Sequence, residues 1–108
     1  MKWVDVDQDR VDIWRWPSEP GGPDSVLEGA CLGRREAQTR FGVVPAYDFI
    51  LPDGRKVTLF ARGHLDKLLS LVLRAKGQNV LTRVRFAEWV DAGGGRRKRH
   101  FVVSYSAD

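Results

Sequence analysis

Only once along these 108 residues does the apolar pattern take a helical period. Leu65, Leu68, Leu69, Val72 and Leu73 fall at i, i+3, i+4, i+7 and i+8 within His64 to Lys76, and Gly77 stands where such a helix ends. Elsewhere apolar residues alternate with polar ones, or form short runs broken by glycine and proline, which is the pattern of strands. A chain of this length has room for one core, so a single helix among strands must hide its apolar stripe against the sheet those strands form.

The strands can be placed in turn. Trp3 to Asp7 and Arg10 to Trp16 alternate and read as two short strands, an N-terminal hairpin extension. Pro17 to Asp24, with three prolines and two glycines, is a linker or long loop that parts this head from the body, residues 25 to 108. Val26 to Arg35 is the first strand of the body, and Gly29 and Gly33 within it mark a bulge or sharp bend. After a polar stretch, Glu36 to Arg40, comes Val43 to Leu51, with Tyr47, Phe49 and Leu51 on one face and Pro45 at an entrance or edge. Pro52-Asp53-Gly54-Arg55 is a turn, so Lys56 to Ala61 returns antiparallel as the third strand. Beyond the helix, Val80 to Trp89 is the fourth strand, Asp91 to Lys98 a flexible basic loop, and His100 to Tyr105 the fifth.

The order β-β-β-α-β-β, with a glycine-broken first strand and a helix between strands three and four, predicts an all-β barrel of the OB-fold type. That is a five-stranded Greek-key barrel, here with a short N-terminal extension. The helix is expected to plug one end of the barrel.

Charge suggests the ligand class. Residues 1 to 24 carry three basic and six acidic side chains, net −3, whereas residues 25 to 108 carry fifteen and eight, net +7. A cationic body points to a polyanionic partner. No apolar run is long enough for a membrane span, and the opening Met1-Lys2-Trp3-Val4-Asp5 has no apolar signal core, which points to a cytoplasmic protein. The single cysteine, Cys31, allows no internal disulfide and reads as a small buried hydrophobe. His64 and His100 are too few for a zinc site. Asp5, Asp7, Asp9 and Asp12 alternate as in a calcium loop but lack its glycine and final glutamate. No catalytic triad spacing and no phosphate-binding glycine loop is present. Neither an enzyme, a cofactor nor a small-molecule substrate is expected.

OB barrels bind across strands two and three and between the loops joining strands one to two and four to five. In this chain the first of those loops is flanked by Arg34, Arg35 and Arg40 with Phe41 at its exit, and the second carries Arg96, Arg97, Lys98 and Arg99 behind three glycines. Tyr47, Lys56 and Phe60 on the middle strands, and Arg83, Arg85 and Trp89 on the fourth, complete the candidate set. Cations would neutralise phosphates while exposed rings stack on unpaired bases, which is what sequence-tolerant single-strand binding requires. Phe60 and Trp89 lie opposite their aliphatic neighbours and are the better candidates for exposed rings, whereas Tyr47, Phe101 and Tyr105 have a competing place in the core.

The run Gly42 to Phe49, then Leu51-Pro52-Asp53-Gly54-Arg55-Lys56-Val57-Thr58-Leu59, a leucine-rich helix and a strand beside a glycine and basic loop resembles the small OB-fold single-stranded-DNA-binding proteins of bacteriophages and mobile elements. The resemblance implies protection of single-stranded DNA in replication, recombination or repair, by a homo-oligomer. Bacterial single-strand binders carry a long tail with an acidic tip, whereas here Ser106-Ala107-Asp108 follow directly on the last expected strand, so recruitment of partners through such a tail is not expected. Two alternatives stay open: an RNA-binding OB domain, and a protein-interaction module that uses Trp3, Trp14 and Trp16.

Overall fold

The computed structural model describes residues 12 to 106. It is mostly β, with one helix and a six-stranded sheet curled into a half-barrel. The strands are β1 (Asp12–Ile13), β2 (Val26–Thr39), β3 (Gly42–Ile50), β4 (Lys56–Phe60), β5 (Val80–Gly93) and β6 (Arg96–Tyr105), with α1 (His64–Lys76) between β4 and β5. Their order across the sheet is β1-β4-β3-β2-β5-β6. All neighbours are antiparallel except β1, which runs parallel to β4.

The curl originates in β2. Its first half pairs with β5, from Val26 to Cys31, and its second half with β3, from Ala30 to Thr39. The change of partner coincides with a bulge between Cys31 and Gly33, where Gly33 takes φ +149°, a conformation that L side chains rarely adopt. The bend expected from the two glycines is therefore present, and a strand bent at its middle can serve both halves of the sheet.

The inner face follows from alternation. Leu27 and Cys31 of β2, Tyr47 and Phe49 of β3, Val57 and Leu59 of β4, and Val84 and Phe86 of β5 are all buried. Leu65, Leu69 and Val72 of α1 are buried as well, and Leu68 and Leu73 are half-buried, so the helical stripe faces the core as its spacing predicts. Gly77 ends the helix, its N–H bonded to the Leu73 carbonyl at 2.8 Å. No described helix is long and apolar enough to cross a membrane.

Among the described residues five strands follow the expected body, and residues 12 and 13 of the N-terminal extension add a parallel strand beside β4; the expected first arm, Trp3 to Asp7, lies outside the described residues. Pro17 to Gly22 is irregular, as a long loop would be, and its first residues are bonded to β5 and β6. Two expectations need correction. The polar stretch after Arg35 continues β2 as far as Thr39, in a two-stranded arm with β3 whose exposed side chains carry no burial signal. The basic loop is shorter than expected. β5 runs to Gly93 and β6 starts at Arg96, with Gly94 and Gly95 both at positive φ, the conformation that lets a two-residue turn follow the twist of a hairpin. Arg96 to Arg99 thus stand on a strand and alternate between its faces.

Candidate nucleic-acid interface

β6 presents its cations in two sets. Arg97 and Arg99 point to the same face as Phe101, while Arg96, Lys98 and His100 alternate with them. On the neighbouring strand Trp89 is directly opposite Arg99. The Arg97 guanidinium lies 4.9 Å from the Trp89 ring centre and that of Arg99 4.7 Å, with Arg99 also 5.2 Å from Phe86. Trp89 and Phe86 meet edge to face at 5.4 Å. Such cation–ring contacts contribute about 0.5 to 2 kcal/mol each and keep a guanidinium fixed without neutralising it.

This cluster forms one wall of a continuous cleft. Arg62, Gly63, His64 and Leu65, at the start of α1, face Lys98, Arg99, His100 and Phe101 across a space of about 360 Å³. An adjoining space of about 340 Å³ shares Arg62, Leu65, Lys98, Arg99 and Phe101 and is further lined by Trp16, Phe60, Trp89 and Arg97. The β5–β6 hairpin supplies one side of it, and Ala61, next to Arg62 in the chain, donates to the Pro45 carbonyl of β3 at 3.0 Å.

Among the described residues, none of Arg62, Arg97, Lys98 and Arg99 forms an ion pair with an acidic side chain. The Arg99 Nε is buried without a hydrogen-bond partner, while its Nη2 donates to the Pro17 carbonyl at 3.2 Å. Four positive groups on one cleft, without a counter-charge among the described residues, form a local field that an external anion would neutralise.

The candidate residues separate on this test. Phe60, Trp89, Arg97, Lys98 and Arg99 come together in the cleft, and Arg96 adjoins it on the opposite face of β6. Arg40 and Phe41 sit at the tip of the β2–β3 arm. The Phe41 ring is 77% exposed and the Arg40 guanidinium lies 4.9 Å over it. Thr39 fixes this turn, accepting from the Phe41 N–H at 3.1 Å and donating to the Gly42 carbonyl at 2.8 Å. Lys56 and Arg85 are exposed and lie outside the cleft.

Arg34, Arg35 and Arg83 are engaged within the protein. Arg34 pairs with Asp66 at 3.0 Å, Arg35 with Asp48 at 2.9 Å and Arg83 with Glu28 at 3.1 Å. The hydrogen bond from Arg34 holds the Asp66 carboxyl below the ordinary carboxylate range. At Asp48, burial pushes the carboxyl up, but the hydrogen bonds from Arg35 and Thr58 outweigh it and the net shift is downward.

Tyr47 is a correction. Its ring is fully buried and offers no face to a base, and its hydroxyl lies 2.7 Å from both Asp66 Oδ1 and Ser70 Oγ, fastening α1 to β3. Burial is the main cause that pushes its phenol up to about 12.

Trp16, Arg62, His64 and His100 belong to the cleft but not to the candidate set. Nothing local in sequence marks Arg62 or His100, which lie 38 residues apart and meet because α1 starts beside β6. Among the described residues no three His, Cys, Asp or Glu side chains converge as a metal site would require.

Comparison with known proteins finds no match among protein-family models, curated proteins or solved structures.

Proposed function

We propose that this chain binds single-stranded nucleic acid, single-stranded DNA in preference to RNA and with little regard to sequence, and that its role is binding rather than catalysis. The observation that carries this reading is the cleft in which Arg62, Arg97, Lys98 and Arg99 have no acidic partner among the described residues and stand beside Phe60, Trp89 and Phe101. Cations without counter-charges favour phosphates, and rings or guanidinium planes favour unpaired bases; a cleft with both favours single strands.

The strand order supports an OB-type barrel. β4-β3-β2-β5-β6 is the order of a five-stranded Greek-key barrel opened along the seam between its third and fifth strands. On this reading β3 and β4 are the binding strands. The β2–β3 arm, with Arg40 and Phe41, and the β5–β6 hairpin are the two flanking loops. Protection of single strands in replication, recombination or repair is the process such a module would serve.

The packing of Trp14 and Trp16 against the protein's own core weakens the alternative of a protein-interaction module built on these tryptophans. RNA is separated from DNA only by the 2′-OH. The test is an anisotropy titration of a labelled single strand of about 30 nucleotides, a length that covers several OB sites, against duplex and RNA competitors. Binding that resists duplex and yields less to RNA than to DNA of the same sequence is expected. Absence of binding at low salt would refute the proposal.

A further inference from the structure

Residues Trp14 to Ser18 lie along the seam between β4 and β6, and their contacts fall on the groups the proposed ligand would use. The Trp14 N–H donates to the Thr58 carbonyl of β4 at 2.8 Å, which anchors the segment at one side. Further along, the Trp16 ring lies 5.0 Å from Phe101 of β6, the Pro17 carbonyl accepts from Arg99 Nη2 at 3.2 Å, and the Ser18 carbonyl accepts from Trp89 Nε1 at 2.9 Å. The segment thus places one ring against a cleft aromatic, tilted at 50° to it, and two acceptor oxygens on the cleft's donors. A nucleotide would offer the same two kinds of group, an aromatic base for the ring and phosphate or carbonyl oxygens for the donors.

We infer that Trp16, Pro17 and Ser18 are an internal competitor, a strap that occupies the nucleic-acid cleft and must leave it for a single strand to bind. Trp14 stays in place as the hinge, because its bond to Thr58 belongs to β4 and not to the cleft. Release frees Phe101 for stacking and Arg99 Nη2 and Trp89 Nε1 for the ligand. The strap lowers the affinity of the resting protein, and a single strand gains access by displacing it. This inference rests on the nucleic-acid reading of the cleft.

The test compares the full-length protein with Trp16→Ala, using a fluorescein-labelled oligothymidylate of about 20 nucleotides. Removal of the ring contact is expected to tighten binding about three- to tenfold. In the unaltered protein, saturating oligothymidylate is expected to speed tryptic cleavage after Arg15, an exposed residue between the hinge and the strap, by about fivefold or more. The cleavage arm uses no variant and stands if Trp16→Ala fails to fold. Equal or weaker binding by a folded Trp16→Ala protein, or slower cleavage after Arg15 when the oligonucleotide binds, would overturn the strap and leave the nucleic-acid reading intact. Absence of binding by both proteins at low salt would overturn both.

Discussion

A Cβ built on Gly29 would lie 2.5 Å from the Ile50 carbonyl oxygen and 3.1 Å from its carbon, and both are backbone atoms. Relief requires β3 to move away from β2 at the point where the sheet begins to bend. Gly29→Ala is therefore expected to destabilise the fold by about 1 to 3 kcal/mol, read from thermal or denaturant unfolding; an unchanged midpoint would show that the strands separate freely. Tyr47 gives the complementary prediction. Tyr47→Phe keeps the ring and removes the hydroxyl that ties β3 to α1, so it should cost about 1 kcal/mol in stability while leaving oligonucleotide affinity unaltered, because the buried ring touches no ligand. Glycine within a strand announced the bend in the sequence. Alternation placed Tyr47 with Phe49 and Leu51, but it left the exposure of that face undecided between core and site, since only the position of α1 settles which rings are covered.

The elements were legible where burial gave them a period. α1 has the bounds its leucine stripe requires, and β4 differs from its expected span only in ending one residue earlier. β2, β5 and β6 exceeded their expected spans because their extensions are two-stranded arms with little to bury, so composition there resembles a loop. The consequence is sharpest on β6. As a loop, Arg96 to Arg99 would be four equivalent cations; as a strand, Arg97 and Arg99 share the face of Trp89, and Arg96, unlike Lys98, is not among the residues that line the cleft. Arg97→Ala should therefore weaken single-strand binding by about five- to tenfold and Arg96→Ala by no more than about twofold, measured by titration at one fixed salt concentration. Equal losses would mean that the hairpin acts as a mobile basic tip. The cleft as a whole was only half visible in sequence. Its β6 wall is one contiguous motif, but Arg62 and Trp16 reach it through the path of the chain and carry no local mark.

At the scale of the whole molecule, charge governs both stability and binding. Asp48 and Asp66 have carboxyls held below the unfolded value of about 3.9, so each contributes stability that is fully present above that pH and is lost as pH falls through the lower folded value. The unfolding midpoint should stay level from neutral pH to about pH 5 and drop below about pH 4. Asp48→Asn should be less stable at neutral pH and lose less on acidification; a variant with the parent's full acid loss would place the responsible carboxylates elsewhere. Binding follows the opposite population of charges, those without an acidic partner among the described residues. Each phosphate neutralised on a single strand releases counterions and adds a slope of about −0.7 to the plot of log affinity against log salt. The cleft offers Arg62, Arg97, Lys98 and Arg99, so contact with about three or four phosphates predicts a slope of about −2 to −3. Removing Lys98 should make that slope shallower by about 0.7 and weaken binding to every base composition alike, because a phosphate contact carries no sequence information. Arg83→Ala should leave the slope unchanged, since Arg83 is paired with Glu28 and lies outside the cleft. If Arg83→Ala reduced the slope as much as Lys98→Ala did, the strand would be held by the diffuse positive body and the cleft would not be its path.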